Sequence, residues 1–129
     1  MEFNWIAIVV AAVSAFVLGG LWYGPLFGRK WMALVGITEE TMASANMAMI
    51  YSLAFVLNLL AAATFSMFLG EVDIVTGATY GLVAGLFWVA GSFGVSYLFE
   101  RRPLGLWLIN GGYHAAQFTL FGAILGAIG

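Results

Sequence analysis

Three residue types are missing or scarce in this sequence, and each shortage excludes a kind of chemistry. The chain has no cysteine, which excludes disulfides, thiol redox chemistry and cysteine-ligated metal sites. It has one histidine, too few for a zinc site built by a single chain. It has two prolines, and no proline-rich or otherwise biased segment divides its 129 residues. We therefore expect one transmembrane domain over residues 1–129.

Charged residues are also scarce. They form 8% of the chain, against about 25% in soluble domains. Hydrophobic residues form 64% and the mean hydropathy is +1.04, so the composition indicates an integral membrane protein. The net charge of −2 is too small to indicate a nucleic-acid partner, and the partner that we expect is the lipid bilayer.

Four apolar runs follow one another along the chain, at about residues 3–24, 46–69, 73–98 and 104–128. Each reaches the roughly 20 residues that a helix needs to cross about 30 Å of hydrocarbon. The sequence therefore predicts an all-α, polytopic membrane protein with four transmembrane helices. A cleaved signal peptide is the alternative for the first run. However, Glu2 stands where a signal needs basic residues, and the run is longer than the apolar core of a signal.

The basic residues predict the orientation. Arg29 and Lys30 lie between the first and second runs, and Arg101 and Arg102 lie between the third and fourth. These two connections share a side in a four-span protein, and the positive-inside rule makes that side cytoplasmic. We therefore expect both termini and the turn GEVD (70–73) on the outside.

The first connection is expected to contain a short helical segment lying in the membrane interface. Pro25 should end or kink the first helix, and the apolar residues after it alternate with Arg29 and Lys30. Gly36 is suited to the C-cap of this segment and Thr38 to the N-cap of the next helix. The second helix is therefore predicted to begin near Thr38.

Two parts of the sequence resemble a known family. They are LWYGPLFGRKWM (21–32) and the fourth run with its NGGYH (110–114) and FGAILG (121–126). Together they resemble the uncharacterised family of small bacterial four-helix membrane proteins catalogued as domain of unknown function 1761. The resemblance covers nearly the whole chain and implies a four-helix fold in the inner membrane of a bacterium. It implies no activity.

Glycines recur at a spacing of four in two of the predicted helices. Gly77, Gly81 and Gly85 lie in the third, and Gly122 and Gly126 lie in the fourth. Residues four apart share a helix face, and the missing side chains let a neighbouring backbone approach closely. We expect these glycines to serve helix packing. The Gly77 repeat is a candidate for the seam of a homo-oligomer, although it could equally hold helices together within one chain.

Polar residues gather on one side of the fourth helix, near its middle. At 100° per residue they fall within an arc of about 100°. The same counting places one polar residue of the second helix and one of the first at this depth. An unpaired polar group in hydrocarbon costs several kcal/mol, so these side chains should face the bundle interior, each other or water. The predicted polar cluster, a candidate ligand site or proton path, comprises His114, Asn110, Gln117, Tyr113, Asn58 and Ser14.

His114 is the residue of this cluster that can change charge near neutral pH. It is therefore a candidate for proton handling or ligand contact. The structural alternative is a neutral imidazole that donates to Asn58 or to a backbone carbonyl. Enzymatic chemistry is not expected, because the acidic residues lie at or beyond the predicted membrane surfaces and none can pair with His114 within its own span.

Three functions stay open on these observations. A midplane polar cluster suits transport or the binding of a small ligand. Tight glycine packing with few soluble parts suits a structural or accessory subunit. One histidine per chain could also ligate a haem or pigment, with a second ligand from a partner chain. Our first two interpretations need no cofactor and no metal.

Tryptophan and tyrosine lie near the ends of the predicted spans. Such residues are enriched at the depth of the lipid headgroups, where their polar atoms meet water. We expect this role for Trp5, Trp22, Tyr23, Tyr97 and Trp107.

Overall fold

The computed structural model describes residues 3–129, and every regular element in that range is a helix. Glu2, which the argument against a signal peptide uses, lies outside the described residues. The all-α prediction is confirmed for the described residues. In chain order the elements are α1 (Trp5–Leu21), a first π-helical segment (Trp22–Leu26), α2 (Gly28–Val35), α3 (Glu39–Ser44), α4 (Met47–Leu69), α5 (Ile74–Val83), a second π-helical segment (Ala84–Ala90), α6 (Gly91–Glu100) and α7 (Leu104–Ile128).

Three helical stretches of the described chain are long and apolar enough to cross a membrane: Trp5–Leu26, Met47–Leu69 and Ile74–Glu100. They correspond to the first three predicted spans. The first and third continue through the π-helical segments, where the turn is wider than in an α-helix. α7 has 25 residues but is less apolar, because Asn110, His114 and Gln117 lie within it.

Pro25 does not end the first long helix. It lies inside the first π-helical segment, where the missing proline N–H is accommodated by a wider turn and the N–H of Phe27 donates to the Trp22 carbonyl at 2.9 Å. α2 follows at once and ends at Gly36, whose φ of 85° is the left-handed conformation predicted for a C-cap.

The second long helix begins later than predicted. Thr38 caps a helix as expected, because its side chain accepts from the N–H of Thr41. That helix is α3, which ends at Ser44, and the backbone of Ala45 is extended with ψ of 148°. Asn46 then caps α4 by accepting from the N–H of Met49. The prediction of one helix starting near Thr38 is therefore wrong, since this second cap starts a separate helix.

α7 lies at the centre of the molecule. It packs against α1, α5 and the second π-helical segment, and it also contacts α2, α4 and α6. Leu106 and Phe121, near its two ends, are fully buried. This central position explains why α7 can be the least apolar of the long helices: protein covers much of its surface, so its polar side chains have protein partners.

α5 and α7 meet backbone to backbone at glycines. A methyl group at Gly77 would overlap the Gly122 carbonyl oxygen, and one at Gly81 would overlap the carbonyl oxygen of Phe118. One at Gly85 would lie 2.6 Å from the His114 carbonyl oxygen. α7 of the same chain thus covers this face of α5. A homo-oligomer stays a prediction, and it would have to assemble through another surface.

α4 stands apart from the α5-to-α6 helix. It packs along α1 and touches α7. A cavity of about 200 Å³ lies between the C-terminal half of α4 and the helix formed by α5 and the second π-helical segment. The cavity is lined by Phe65, Phe68, Leu69, Tyr80, Val83, Ala84 and Trp88. A cleft with aromatic walls therefore separates α4 from the third long helix.

Candidate functional site

The polar side chains of α7 form two hydrogen-bond networks, not the single cluster that helix geometry predicted. The first is centred on Asn110. The Tyr23 hydroxyl donates to Asn110 Oδ1 at 2.7 Å, and Asn110 Nδ2 donates to the Tyr97 hydroxyl at 2.8 Å. This network joins the end of the first long helix to α7 and α6.

Trp22 strengthens the same junction. Its Nε1 donates to the carbonyl oxygen of Ile109 at 2.9 Å. Trp22 and Tyr23 are neighbours in the first π-helical segment, and both reach the same turn of α7. The structural role of the segment LWYGP (21–25) is therefore to hold the first long helix against the start of α7.

Four of the five aromatic residues expected at the headgroups have their polar atoms bonded inside the protein, and their anchoring role stays a prediction. Trp22, Tyr23 and Tyr97 bond to α7 or to its Asn110, and Trp107 Nε1 donates to the Ala90 carbonyl at 2.8 Å. These polar atoms point into the protein because helix backbone and Asn110 offer partners there. Trp5 is exposed, and its anchoring role stays a prediction.

The second network, the His114 chain, crosses from α7 to α4. His114 Nδ1 lies 2.6 Å from Gln117 Oε1, and Gln117 Nε2 donates to Asn58 Oδ1 at 2.6 Å. Asn58 Nδ2 then donates to the Ala54 carbonyl of its own helix at 3.1 Å. Gln117 is 5% exposed, so the middle of the His114 chain is buried in the protein. The expected direct bond from His114 to Asn58 is replaced by a bridge through Gln117.

The His114 chain selects one tautomer of the imidazole. An amide oxygen only accepts hydrogen bonds, so Nδ1 carries the hydrogen and donates to Gln117 Oε1. The other ring nitrogen, Nε2, is then an acceptor with a free lone pair. Two aromatic rings pack against the imidazole ring of His114. Phe93 stacks on it, with 5.1 Å between the ring centroids and 16° between the planes, and Tyr113 packs edge to face with it at 5.0 Å.

Nε2 of His114 reaches the surface. It makes no hydrogen bond within the described chain, and no buried side-chain nitrogen or oxygen of those residues lacks a partner. His114 as a whole is partly buried. The imidazole therefore has one nitrogen bonded to Gln117 and one that has no partner among the described residues and is not fully enclosed.

A second cavity runs along the face of the third long helix beside His114. Its volume is about 380 Å³, and it is more open than the first. Trp88 lines both cavities, and Phe93 lines the second while stacking on His114. The second cavity is lined by Trp88, Val89, Ser92, Phe93 and Ser96. The two cavities, which share Trp88, together form a groove. His114 lines neither of them, and the stacked ring of Phe93 lies between the imidazole and the second cavity.

Gln117 is the last polar side chain of α7 that bonds to another helix, and beyond it the Ile128 carbonyl accepts from Asn4 Nδ2 at the exposed end of α7. Beyond Gln117, toward the C-terminal end of α7, Phe118 packs against Phe65 at 5.4 Å and Phe121 at 5.2 Å. Gly122 then meets α5 backbone to backbone. This half of the bundle is closed by aromatic rings and by glycine contacts.

Two residues of the predicted polar cluster have other partners. The Ser14 hydroxyl donates to the Ala11 carbonyl of its own helix at 2.7 Å and joins neither network. The Tyr113 hydroxyl donates to the Ala15 carbonyl at 3.0 Å and connects α7 to α1. The prediction grouped these residues by their place on a helix, which does not decide the neighbour that a side chain faces.

Sequence reasoning also missed partners of the cluster. Tyr23 and Tyr97 complete the Asn110 network, and Phe93 stacks on His114. Tyr23 carried a signal, because it belongs to the segment that resembles the family. Tyr97 and Phe93 carried none, since both read as ordinary apolar or interfacial residues.

No group of three or more histidine, cysteine, aspartate or glutamate side chains in the described chain could hold a metal ion. At the start of α7, Arg102 Nε pairs with Glu100 at 2.7 Å. This exposed ion pair raises the pKa of Arg102.

Three long apolar helices packed around a central helix with internal polar networks are compatible with one class, a helical membrane protein. Residues 6–126 match the family model described as Protein of unknown function (DUF1761), and the chain belongs to that family. The resemblance in the sequence is thus confirmed, and the match includes both LWYGP (21–25) and most of α7. Comparison with curated proteins and with solved structures gave no match.

Proposed function

We propose that this protein binds a small ligand from the lipid side of a membrane, and that His114 is the residue that contacts it. The observation that carries the proposal is the state of the imidazole. Its Nδ1 is bonded to the buried Gln117, its Nε2 has no partner among the described residues, and Phe93, which stacks on the ring, lines the groove. Ligand sites are typically apolar with a few positioned polar groups, and this arrangement has that form.

The proposal includes α7 as a fourth span. Its 25 residues extend about 37 Å at 1.5 Å per residue, enough for about 30 Å of hydrocarbon. Contacts with α1, α4, α5 and α6 supply partners for its polar residues, which lowers the cost of placing them in the membrane.

The proposed orientation puts the basic residues in the cytoplasm and both termini outside. A methyl group at Gly105 would lie 3.2 Å from Leu34 Cδ1, so α2 and the start of α7 lie at the same end of the molecule. This contact supports grouping Arg29 and Lys30 with Arg101 and Arg102. The predicted place, the inner membrane of a bacterium, is part of the same proposal.

Ligand binding is favoured over transport by the closed half of the bundle. A transport path needs polar groups or water on both sides of the midplane. Here the interhelical polar networks lie between the start of α7 and Gln117, while aromatic rings and glycine contacts fill the rest. The polar networks therefore favour a site with one entrance.

A structural or accessory subunit is the second candidate. The observation that favours it is that every buried side-chain nitrogen and oxygen of the described residues has a hydrogen-bond partner. Such complete pairing is expected of residues that only join helices. The two candidates differ at one atom, Nε2 of His114, which a purely structural imidazole does not need to expose.

Diethyl pyrocarbonate modification tests the proposal, because the chain has a single histidine. The protein, carried on a histidine-free affinity tag, is reconstituted in phosphatidylcholine nanodiscs and treated with the reagent, and intact mass reports the adduct. We expect modification of the folded protein at a rate within about tenfold of that in denaturing detergent. His114→Phe is the matched control for adducts at other residues.

Protection of His114 in the nanodisc, with full modification after denaturation, would favour the structural subunit. A flux assay completes the test. Proteoliposomes containing a pH-sensitive dye should show the same proton leak with wild type and with His114→Phe. A leak that depends on His114 would replace ligand binding with transport.

A further inference from the structure

We infer that the ligand is an uncharged amphiphile whose head group donates a hydrogen bond to His114 Nε2 and whose apolar tail lies in the groove beside Trp88. This inference rests on the proposed function and names the chemical class of the ligand. An alcohol on a long hydrocarbon chain is the simplest molecule of that class.

The head group follows from the tautomer. Gln117 Oε1 accepts from Nδ1, and the remaining amide group of Gln117 donates to Asn58, so the glutamine cannot turn over without losing a bond. Asn58 is held in the same way by the Ala54 carbonyl. Nε2 is therefore kept as an acceptor, and an acceptor selects a ligand that donates. A ketone, ether or ester head group has only acceptors, so it could form no hydrogen bond with Nε2.

The absence of charge follows from the residues around the imidazole. Among the described residues, the titratable or polar groups that contact His114 or its partner are Tyr113, Gln117 and Asn58, and none of them carries a formal charge at neutral pH. Within α4, α5 and α7 no residue is charged, and the charged side chains between Gly91 and the start of α7 are those at the junction of α6 and α7, such as Glu100 and Arg102. An ionic head group beside His114 would lack a counter-ion in a medium of low dielectric constant, which is costly.

The tail follows from the lining of the groove. The first cavity is walled by Phe65, Leu69 and Val83 among other apolar residues, and Trp88 joins it to the second. The volume of the second cavity, about 380 Å³, falls within the range of about 300–1,000 Å³ that small-molecule sites occupy. The groove opens to the side, where a hydrocarbon chain can enter from the bilayer.

Two natural sources share this chemistry, a free isoprenoid or fatty alcohol and a membrane lipid that bears a hydroxyl. Farnesol and dioleoylglycerol represent them as probes. Each probe has one hydroxyl that can donate a hydrogen bond, but dioleoylglycerol carries two hydrocarbon chains and farnesol carries one. We expect farnesol to bind, because one chain suffices to fill the groove. Binding of dioleoylglycerol in place of farnesol would assign the site to the lipid and would overturn the single-chain part of the inference.

Nitrogen-15 NMR of histidine-labelled protein reads the site directly, since His114 is the one histidine of the chain. The protein is placed in nanodiscs of phosphatidylcholine, whose head group has no hydrogen-bond donor. Farnesol is titrated against its matched control, farnesyl methyl ether, which differs by the donor alone. We expect farnesol to shift the Nε2 resonance in a saturable way, and the ether to bind at least about tenfold more weakly, as the loss of one hydrogen bond implies.

Two variants and one fluorescence measurement separate the possible failures. Gln117→Leu should let the imidazole adopt either tautomer and weaken the binding of farnesol about tenfold. Ser14 lies outside both networks, so Ser14→Ala should bind farnesol as the wild type does. Equal binding of alcohol and ether, detected by quenching of tryptophan fluorescence, would overturn the donor inference and leave the proposed ligand site standing. If no probe alters either the Nε2 resonance or the fluorescence, both this inference and the proposed function would be overturned.

Discussion

The chemistry of His114 is decided by its neighbour one helical turn away. Without Gln117 the imidazole could place its hydrogen on either nitrogen. With Gln117 joined to Asn58 on another helix, the hydrogen stays on Nδ1 and Nε2 is left as an acceptor. The pair His114 and Gln117 could be predicted from the sequence, because residues three apart on a helix are neighbours. Their partner Asn58 was predicted by depth.

Replacing Gln117 with leucine should destabilise the protein. The change leaves a donor on His114 and an acceptor on Asn58 without partners, at a cost of about 1–3 kcal/mol for each unpaired group in a buried place. Unfolding in mixed detergent micelles, followed by circular dichroism, measures the loss.

Ser14→Ala is the matched control for that change. Its hydroxyl bonds to its own helix, so its removal should alter the free energy of unfolding by less than about 0.6 kcal/mol, the average for a hydrogen bond between membrane helices. If Gln117→Leu proved as stable as Ser14→Ala, the His114 chain would not be an organising contact of the fold.

At the scale of the helices, small residues and caps decide where the chain turns and how closely helices approach. The glycine spacing in α5 and α7 predicted close packing, and the structure shows which helices meet. The caps at Thr38 and Gly36 followed from residue preferences alone. The break between α3 and α4 was missed because Asn46, a second good N-cap, stood inside a region read as one helix.

Gly81→Ala should destabilise the contact between α5 and α7. The added methyl group would overlap the backbone carbonyl of Phe118, which cannot move as a side chain can, so we expect a loss of at least about 1–3 kcal/mol. Gly20→Ala is the matched control, because nothing lies within 4 Å of its added carbon. Thermal unfolding of the two variants side by side compares them, and equal stability would contradict the close contact.

The start of α5 should depend on pH through Asp73. Its carboxylate accepts from the N–H of Thr76 at 2.8 Å, and the hydrogen bonds from the Thr76 side chain and N–H lower the pKa of Asp73. A lowered pKa in the folded state means that the stabilisation is complete above the unfolded pKa of about 3.9. It is lost as the pH falls below that value through the folded pKa.

The measurement is a comparison of unfolding at pH 6 and pH 2.5 for wild type and Asp73→Asn. Asparagine is an equally good N-cap but does not titrate. Wild type should lose more stability on acidification than the variant does. The same loss in both proteins would mean that other carboxylates cause the acid sensitivity.

At the scale of the whole molecule, the arrangement places a half-polar helix at the centre and apolar helices around it. α7 can carry Asn110, His114 and Gln117 because α1, α4, α5 and α6 contact it. α4 packs on α1 and leaves a groove toward the third long helix. This groove is a property of how the helices are arranged, and no single helix contains it.

The proposed orientation predicts the outcome of fusions to the chain. Alkaline phosphatase, which is active only outside the cytoplasm, should be active when attached after Gly129 and inactive when attached after Arg102. A fluorescent protein that folds only in the cytoplasm should show the reverse. A cytoplasmic C-terminus would overturn the orientation and the assignment of the basic residues.

The sequence by itself determined the all-α class, three of the four predicted spans as long apolar helices, the close-packing glycines and the family, because composition, periodicity and motifs are local properties. The tertiary structure alone decided that the predicted polar cluster divides in two, that Ser14 lies outside it, and that Tyr23 and Tyr97 belong to it. The physical reason is that periodicity gives the angle between residues on one helix, whereas the rotation of each helix toward its neighbours depends on packing the whole chain.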